Sequence, residues 1–329
     1  MSVRRSLETG LLLAVAGALI AVPWLLDDAG LVSVNVFVIL SVLALSMALV
    51  WGVAGIFSFG QSVFFGLGAY SYAVLALNGL PTGWAVGGAI VLPAVAALAV
   101  GYFLFYGRIS DVYLGVITLT ASLILYHLVN TVSGSDFRIG EVALGGYNGM
   151  PGVPPLAWPG SGEPLDYTAF YLASVAVLAA VYLGLRALVA SRFGAVVCAI
   201  RENELRAELL GYDSRAYKLA VFVIAAAIAG LAGALHASWG GFVGPDVFSI
   251  SFAAQIIIWA QVGGVALLAG PVVGCWVIQW LTTWLGTTRV ADTNLVLGVI
   301  FVAFVLLLPG GLLPRLREWL LSRAVREPA

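Results

Sequence analysis

The run Val32-Ser33-Val34-Asn35-Val36-Phe37-Val38-Ile39-Leu40-Ser41-Val42-Leu43-Ala44-Leu45-Ser46-Met47-Ala48-Leu49-Val50-Trp51 carries no Asp, Glu, Lys or Arg in twenty residues. About 20 apolar residues suffice for a helix to cross the hydrocarbon core of a bilayer. Similar runs lie on either side, at Gly10–Leu26, Ile56–Leu77, Trp84–Tyr106 and Val112–Val132. The second half adds Tyr167–Leu188, Leu219–Trp239, Ile250–Leu268, Pro271–Leu285 and Leu295–Leu308, the last two short enough to be tilted, discontinuous or re-entrant. Composition agrees: of 329 residues, 62% are hydrophobic and only 9% charged, against about 25% charged in a soluble domain. The sequence therefore predicts an all-α integral membrane protein of about ten transmembrane helices.

Charge gives an independent check on that count. With ten spans and the N-terminus inside, the cytoplasmic segments hold 13 of the 15 basic residues, all but Arg138 and Arg289. The positive-inside rule counts Lys and Arg, so both termini are expected in the cytoplasm. Arg4 and Arg5 before Gly10–Leu26 resemble a signal peptide. The run ends in Pro23, Trp24 and Asp27-Asp28 without a small-residue cleavage site, and is read as an uncleaved first helix. A net charge of −1 argues against nucleic-acid binding. Cys198 and Cys275 have neither metal nor redox spacing.

Two segments between spans are long enough to hold structure. Ser133–Asp166, expected outside, carries eight glycines and is rich in proline, a composition that predicts tight turns and little regular structure. Ala190–Lys218, expected inside, is the most highly charged stretch. In it Val197, Ile200, Leu205 and Leu209 form a rough helical stripe. Glu202 and Arg206 stand at i, i+4, and Gly211 is placed to end the helix with a left-handed cap. The stretch reads either as a solvated amphipathic linker or as a coupling helix that docks into a partner's groove.

The wording of the chain favours the second reading. Ala199-Ile200-Arg201-Glu202-Asn203-Glu204, then Ala207-Glu208-Leu209-Leu210-Gly211 and Tyr217-Lys218, resemble the coupling segment of branched-chain amino-acid ABC transporter permeases. Gly60-Gln61-Ser62-Val63-Phe64-Phe65-Gly66-Leu67-Gly68-Ala69-Tyr70 resembles that family's third-helix motif, Asn148-Gly149-Met150-Pro151-Gly152 its external loop, and Ala229-Gly230-Leu231-Ala232-Gly233 part of its second half. Gly263-Gly264, Gly270-Pro271-Val272-Val273-Gly274 and Leu308-Pro309-Gly310-Gly311-Leu312 complete the resemblance over roughly residues 35–315. It implies a single permease domain in a bacterial or archaeal cell (inner) membrane. It also implies a homologous second permease, two ATP-binding cassette subunits and an extracytoplasmic solute-binding protein as partners. Ile200, Arg201, Glu202, Glu204, Arg206, Glu208 and Gly211 would carry the coupling to the ATPase. The chain has no Walker A pattern, so ATP hydrolysis is expected in the partners, with no enzyme activity or cofactor here.

Solute contacts are harder to read. Ser58, Gln61 and Ser62 lie in a glycine-interrupted apolar segment, a pointer to a translocation path. The same residues equally suit close helix packing, and Gln255 and Gln261 are open to both readings. His127 and His236 have no further ligand nearby in sequence, and read as interfacial or hydrogen-bonded rather than metal-binding. Span interiors nearly free of charge argue against a proton- or sodium-coupled transporter. A stand-alone channel or a non-transporting scaffold would leave the charged segment or the polar path unexplained. Gln61 and Ile258-Trp259-Ala260-Gln261-Val262-Gly263-Gly264 lean towards the family's urea and short-amide branch, whereas Arg201-Glu202-Asn203-Glu204 and Asn148-Gly149-Met150-Pro151-Gly152 lean towards amino acids.

Overall fold

The computed structural model describes residues 17–132, 137–158, 160, 162–288, 295–296, 298–299, 302 and 310–315. Helix α1 (Asp28–Met47) opens on Asp27, whose carboxylate accepts from the Gly30 N–H at 3.0 Å, and runs on into a π-helical stretch, Ala48–Val53. After an irregular stretch come α2 (Gln61–Leu77), α3 (Thr82–Tyr106) and α4 (Asp111–Thr131). Helix α5 (Tyr167–Ala190) leads through two short helices, α6 (Arg192–Glu202) and α7 (Glu204–Leu209), into α8 (Ser214–Gly240). A hairpin of α9 (Ile250–Gly263) and α10 (Gly270–Thr288) follows.

Among the described residues, five segments are long and apolar enough to cross a membrane: Asp28–Val53, Thr82–Tyr106, Tyr113–Thr131, Tyr167–Ala190 and Ser214–Gly240. Gln61–Leu77 and Ile250–Gly263 are shorter apolar helices. The class read from the sequence, an all-α membrane protein, is the class observed. Residues 17–21 of the expected first span are helical, and the rest of its N-terminal part lies outside the described residues, as does most of Leu295–Leu308. Two boundaries need correction. Ile56–Gly60 is not helical, so the expected Ile56–Leu77 span begins at Gln61, and the expected Ile250–Leu268 span stops at Gly263. Pro271–Leu285 extends to a 19-residue helix, about 28 Å at 1.5 Å per residue.

Helix α8 sits at the centre, against α1, α2 and α3. In a bilayer, helices associate through van der Waals packing, so small residues let backbones approach. A Cβ on Gly68 of α2 would lie 2.6 Å from the Gly230 carbonyl carbon of α8. One on Gly230 would lie 2.6 Å from Pro93 Cγ of α3, and one on Gly233 2.8 Å from the Ala69 nitrogen of α2. Gly68 and Gly233 thus lie at the α2–α8 contact and Gly230 at the α8–α3 contact, whereas a Cβ on Gly66 would meet the Phe248 ring. The α9–α10 hairpin is closed the same way, with Gly263 against Gly270 and Gly274 against Trp259.

The segment between α4 and α5 has more structure than its composition predicts. Strands β1 (Arg138–Ile139) and β2 (Val142–Ala143) form a hairpin, and β3 (Met150–Pro151) pairs antiparallel with β4 (Phe242–Val243), just after α8. Asn78, at the end of α2, accepts from the Glu141 N–H at 2.9 Å and donates to the Ile139 carbonyl at 3.0 Å. The Tyr72 hydroxyl donates to the Pro154 carbonyl at 3.0 Å. Loop partners supply what the composition leaves unspecified.

Candidate functional site

At the opposite end of the bundle, the charged segment and the break between α1 and α2 meet. Ser191 caps α6, accepting from the Gly194 N–H at 3.3 Å. The helix ends at Asn203, whose backbone is extended (φ −160°, ψ 99°) and whose Oδ1 caps α7 by accepting from the Arg206 N–H at 2.9 Å. Helix α7 closes on Gly211 at φ 92°, with the Tyr212 N–H on the Ala207 carbonyl (3.2 Å) and the Gly211 N–H on the Glu208 carbonyl (2.9 Å). That pair of bonds is a Schellman cap, which favours glycine at the left-handed position. Asp213 then caps α8.

The break at Asn203 splits the expected stripe between two surfaces. Val197 and Ile200 of α6 are buried, as is Ala207 of α7. Leu205, Leu209 and Leu210 are instead 67%, 80% and 77% exposed, side chains an aqueous surface would not favour. Glu202 and Arg206 stand on different helices, so the helical i, i+4 pairing expected for them does not form. Glu204 pairs with Lys218 Nζ at 2.7 Å, and the Ser214 hydroxyl donates to Glu208 at 2.6 Å, tying α7 to the start of α8. Burial pushes the Glu204 carboxyl up. The bond to Lys218, with Ser214 and Arg215 nearby, outweighs that and leaves it below its ordinary value.

Arg201 turns the other way, towards α1. Its guanidinium Nη1 donates to the Gly52 carbonyl in the π-helical stretch. A cavity of about 450 Å³ lies here, with Trp51, Gly55, Arg201, Glu202, Glu204 and Lys218 in its wall. The π geometry is visible in the Ala54 N–H reaching back five residues to the Leu49 carbonyl at 3.1 Å, and just past its end the Ile56 N–H reaches back to the Val50 carbonyl at 2.9 Å. Short π stretches often accompany function.

Beyond the π stretch, the irregular backbone finds partners inside the protein, as a buried break in a helix requires. The Phe59 N–H donates to Thr118 Oγ1 of α4 at 3.1 Å, and the Gly60 N–H to Ser58 Oγ at 3.0 Å. Ser62 and Ser122 share a hydrogen bond at 2.7 Å. The Ser46 hydroxyl donates to Gln61 Oε1 at 3.0 Å, leaving the buried Gln61 Nε2 with no hydrogen-bond partner among the described residues. Ser58, Gln61 and Ser62 are therefore brought together and fully buried within the subunit. Gln255 and Gln261 are half-buried on α9, and the Ser46–Gln61 and Ser62–Ser122 bonds involve neither. His236 packs its ring on Phe65 at 5.3 Å. No group of three or more His, Cys, Asp or Glu that could hold a metal occurs among the described residues.

Several residues of this site escaped the sequence reading. Thr118 and Ser122 stand four apart on α4, one face of a helix, a signal that was available. Ser46, Gly52 and Gly55 had no such signal, because their partners lie far along the chain.

The comparisons with known proteins bear on the whole of this arrangement. The family described as branched-chain amino acid transport system / permease component matches residues 31–308. The chain is similar to the high-affinity branched-chain amino acid transport system permease protein LivM of Escherichia coli (strain K12), at 26% identity over 94% of this chain and 76% of the relative. It has the same identity and coverage with LivM of Salmonella typhimurium. No solved structure matches. With the match covering residues 31–308 of 329, the chain belongs to the family of branched-chain amino acid transport system permease components.

Proposed function

We propose that this chain is one permease subunit of an ATP-driven importer, forming half of the path for branched-chain or related amino acids. Ten spans cross a bacterial or archaeal inner membrane in this reading, with both termini and Ala190–Lys218 in the cytoplasm and Ser133–Asp166 outside. A homologous second permease completes the path, two ATP-binding cassette subunits dock from the cytoplasm, and a binding protein delivers solute from outside. The carrying observation is the exposed Leu205, Leu209 and Leu210 set on α7. Leu205 and Leu209 stand on a capped helix and Leu210 at its end, beside the exposed charges Arg206 and Glu208, a surface suited to helix-in-groove docking. The importer reading explains that surface, and a stand-alone channel does not.

Ser58, Gln61 and Ser62 are assigned to the neighbourhood of the path, next to the helix break, and Gln255 and Gln261 to its α9 side. Trp259 and Gln61, which lean towards urea, are both fully buried within the subunit, so the amino-acid solute is proposed on the family match. The docking assignment is tested by co-purifying the complex with Leu209→Glu and with Gly211→Pro. A proline holds φ near about −65°, which the left-handed position of Gly211 excludes. Both variants should insert into the membrane and lose the ATPase. Retention of the ATPase by both would remove α7 from the interface.

A further inference from the structure

We propose that Arg201 is a positioning residue that transmits movement of the docking segment to the solute path, and that the stretch Ala48–Gly60 is the element it moves. This rests on the importer reading above. Arg201 lies in the last turn of α6, immediately before the docking helix α7, yet its guanidinium leaves the docking face and donates to the Gly52 carbonyl. Gly52 stands at the end of the π-helical stretch, where the helix leaves carbonyls without a partner along the backbone. A cation at a helix C-terminus also meets the negative end of the helix dipole. Arg201 is therefore a side-chain cap for α1, supplied by the segment that the ATPase would push.

Two glycines make the contact possible. Gly55, at φ 73°, lies under the stem of Arg201, and a Cβ there would fall 2.8 Å from Arg201 Cγ. Gly52 is pressed from another side by the turn after α9, where its Cβ would lie 2.6 Å from the Val265 carbonyl. Thus α1, α6 and the α9–α10 turn converge on one peptide group. From that point the chain runs only a few residues to Ser58, Gln61 and Ser62. A tilt of α6 that carries Arg201 with it pulls on the Gly52 carbonyl, and the non-helical Ala54–Gly60 stretch, held by Thr118 and Ser58 rather than by a helical ladder, is the part that rearranges.

The test uses the full complex in liposomes, with solute-loaded binding protein, and reads bound ATPase, ATP hydrolysis and solute uptake. Wild type is compared with Arg201→Ala, Arg201→Lys and Gly55→Ala, the last crowding the Arg201 stem and straining the Gly55 backbone at φ 73° while leaving the docking helix unaltered. Arg201→Ala and Gly55→Ala should keep the ATPase bound and hydrolysing, while solute moved per ATP falls at least about tenfold. Arg201→Lys, which keeps a cationic donor, should recover part of the ratio. A wild-type ratio in Gly55→Ala or Arg201→Ala overturns the proposal, as does loss of bound ATPase in Arg201→Ala, which would make Arg201 a docking residue. Should Arg201→Ala fail to fold, Gly55→Ala decides. The wild-type arm separates the two claims: uptake there without ATP overturns the importer reading, irrespective of any variant.

Discussion

Replacing Gly68 by alanine tests the packing that holds the path in place. The added carbon would sit 2.6 Å from the Gly230 carbonyl carbon, against an ordinary carbon–carbon contact of about 3.5–4.0 Å. The obstacle is backbone, so no rotamer change relieves it, and Gly230 is itself backed by Pro93 of α3. Helices α2 and α8 must separate by roughly 1 Å, and overpacking of this kind costs about 1–3 kcal/mol. Gly184→Ala on α5 is the control, because a Cβ there meets nothing within 4 Å. Both changes gain the same helix-propensity term, about 0.5–1 kcal/mol, so it cancels in the comparison. The assay is unfolding of the detergent-solubilised protein in a chemical denaturant, followed by tryptophan fluorescence. Gly68→Ala should be the less stable by about 1–3 kcal/mol, some fivefold to 150-fold in the folding equilibrium. Equal stabilities would refute the interlocked α2–α8–α3 arrangement.

Two further outcomes follow from the charged segment. Because the folded carboxyl of Glu204 lies below its ordinary value, its tie to Lys218 is fully present above the ordinary carboxylate range. It is lost as the pH falls through the lowered value. Limited proteolysis of residues 190–218 should rise on that acid limb in wild type, whereas Glu204→Gln should be cut readily across the same range; an identical acid midpoint for both would count against the tie. Cys198 on α6 is a half-buried free thiol, and Cys275 is fully buried. A membrane-impermeant maleimide should therefore label Cys198 in inverted vesicles and not in intact cells, and the reverse pattern would turn the topology over.

Much of the helical framework was legible because long apolar runs leave few alternatives. The runs became Asp28–Val53, Thr82–Tyr106 and Tyr167–Ala190 with shifts of a few residues. Ile56–Gly60 misled for the same reason: it is apolar enough to read as helix, and only Thr118 and Ser58, acting on its backbone, reveal the break. The charged segment was found, but its division was not. Asn203 looks like one polar residue among many until its extended backbone separates α6 from α7. Arg201 likewise read as a docking charge, since nothing local records that Gly52, 149 residues earlier, holds its acceptor. The α2 and α8 glycine motifs carried the family resemblance, and the structure gives them a physical reason in close backbone packing.

The central claim is that this chain moves solute only when partner subunits hydrolyse ATP. Its most direct test is uptake of radiolabelled leucine, glutamate, urea and acetamide into liposomes, by the chain alone and by the complex with its second permease, ATPases and binding protein. The account predicts leucine uptake by the complete complex with ATP, and none by the chain alone. Solute flux through the chain alone, independent of ATP, would contradict it.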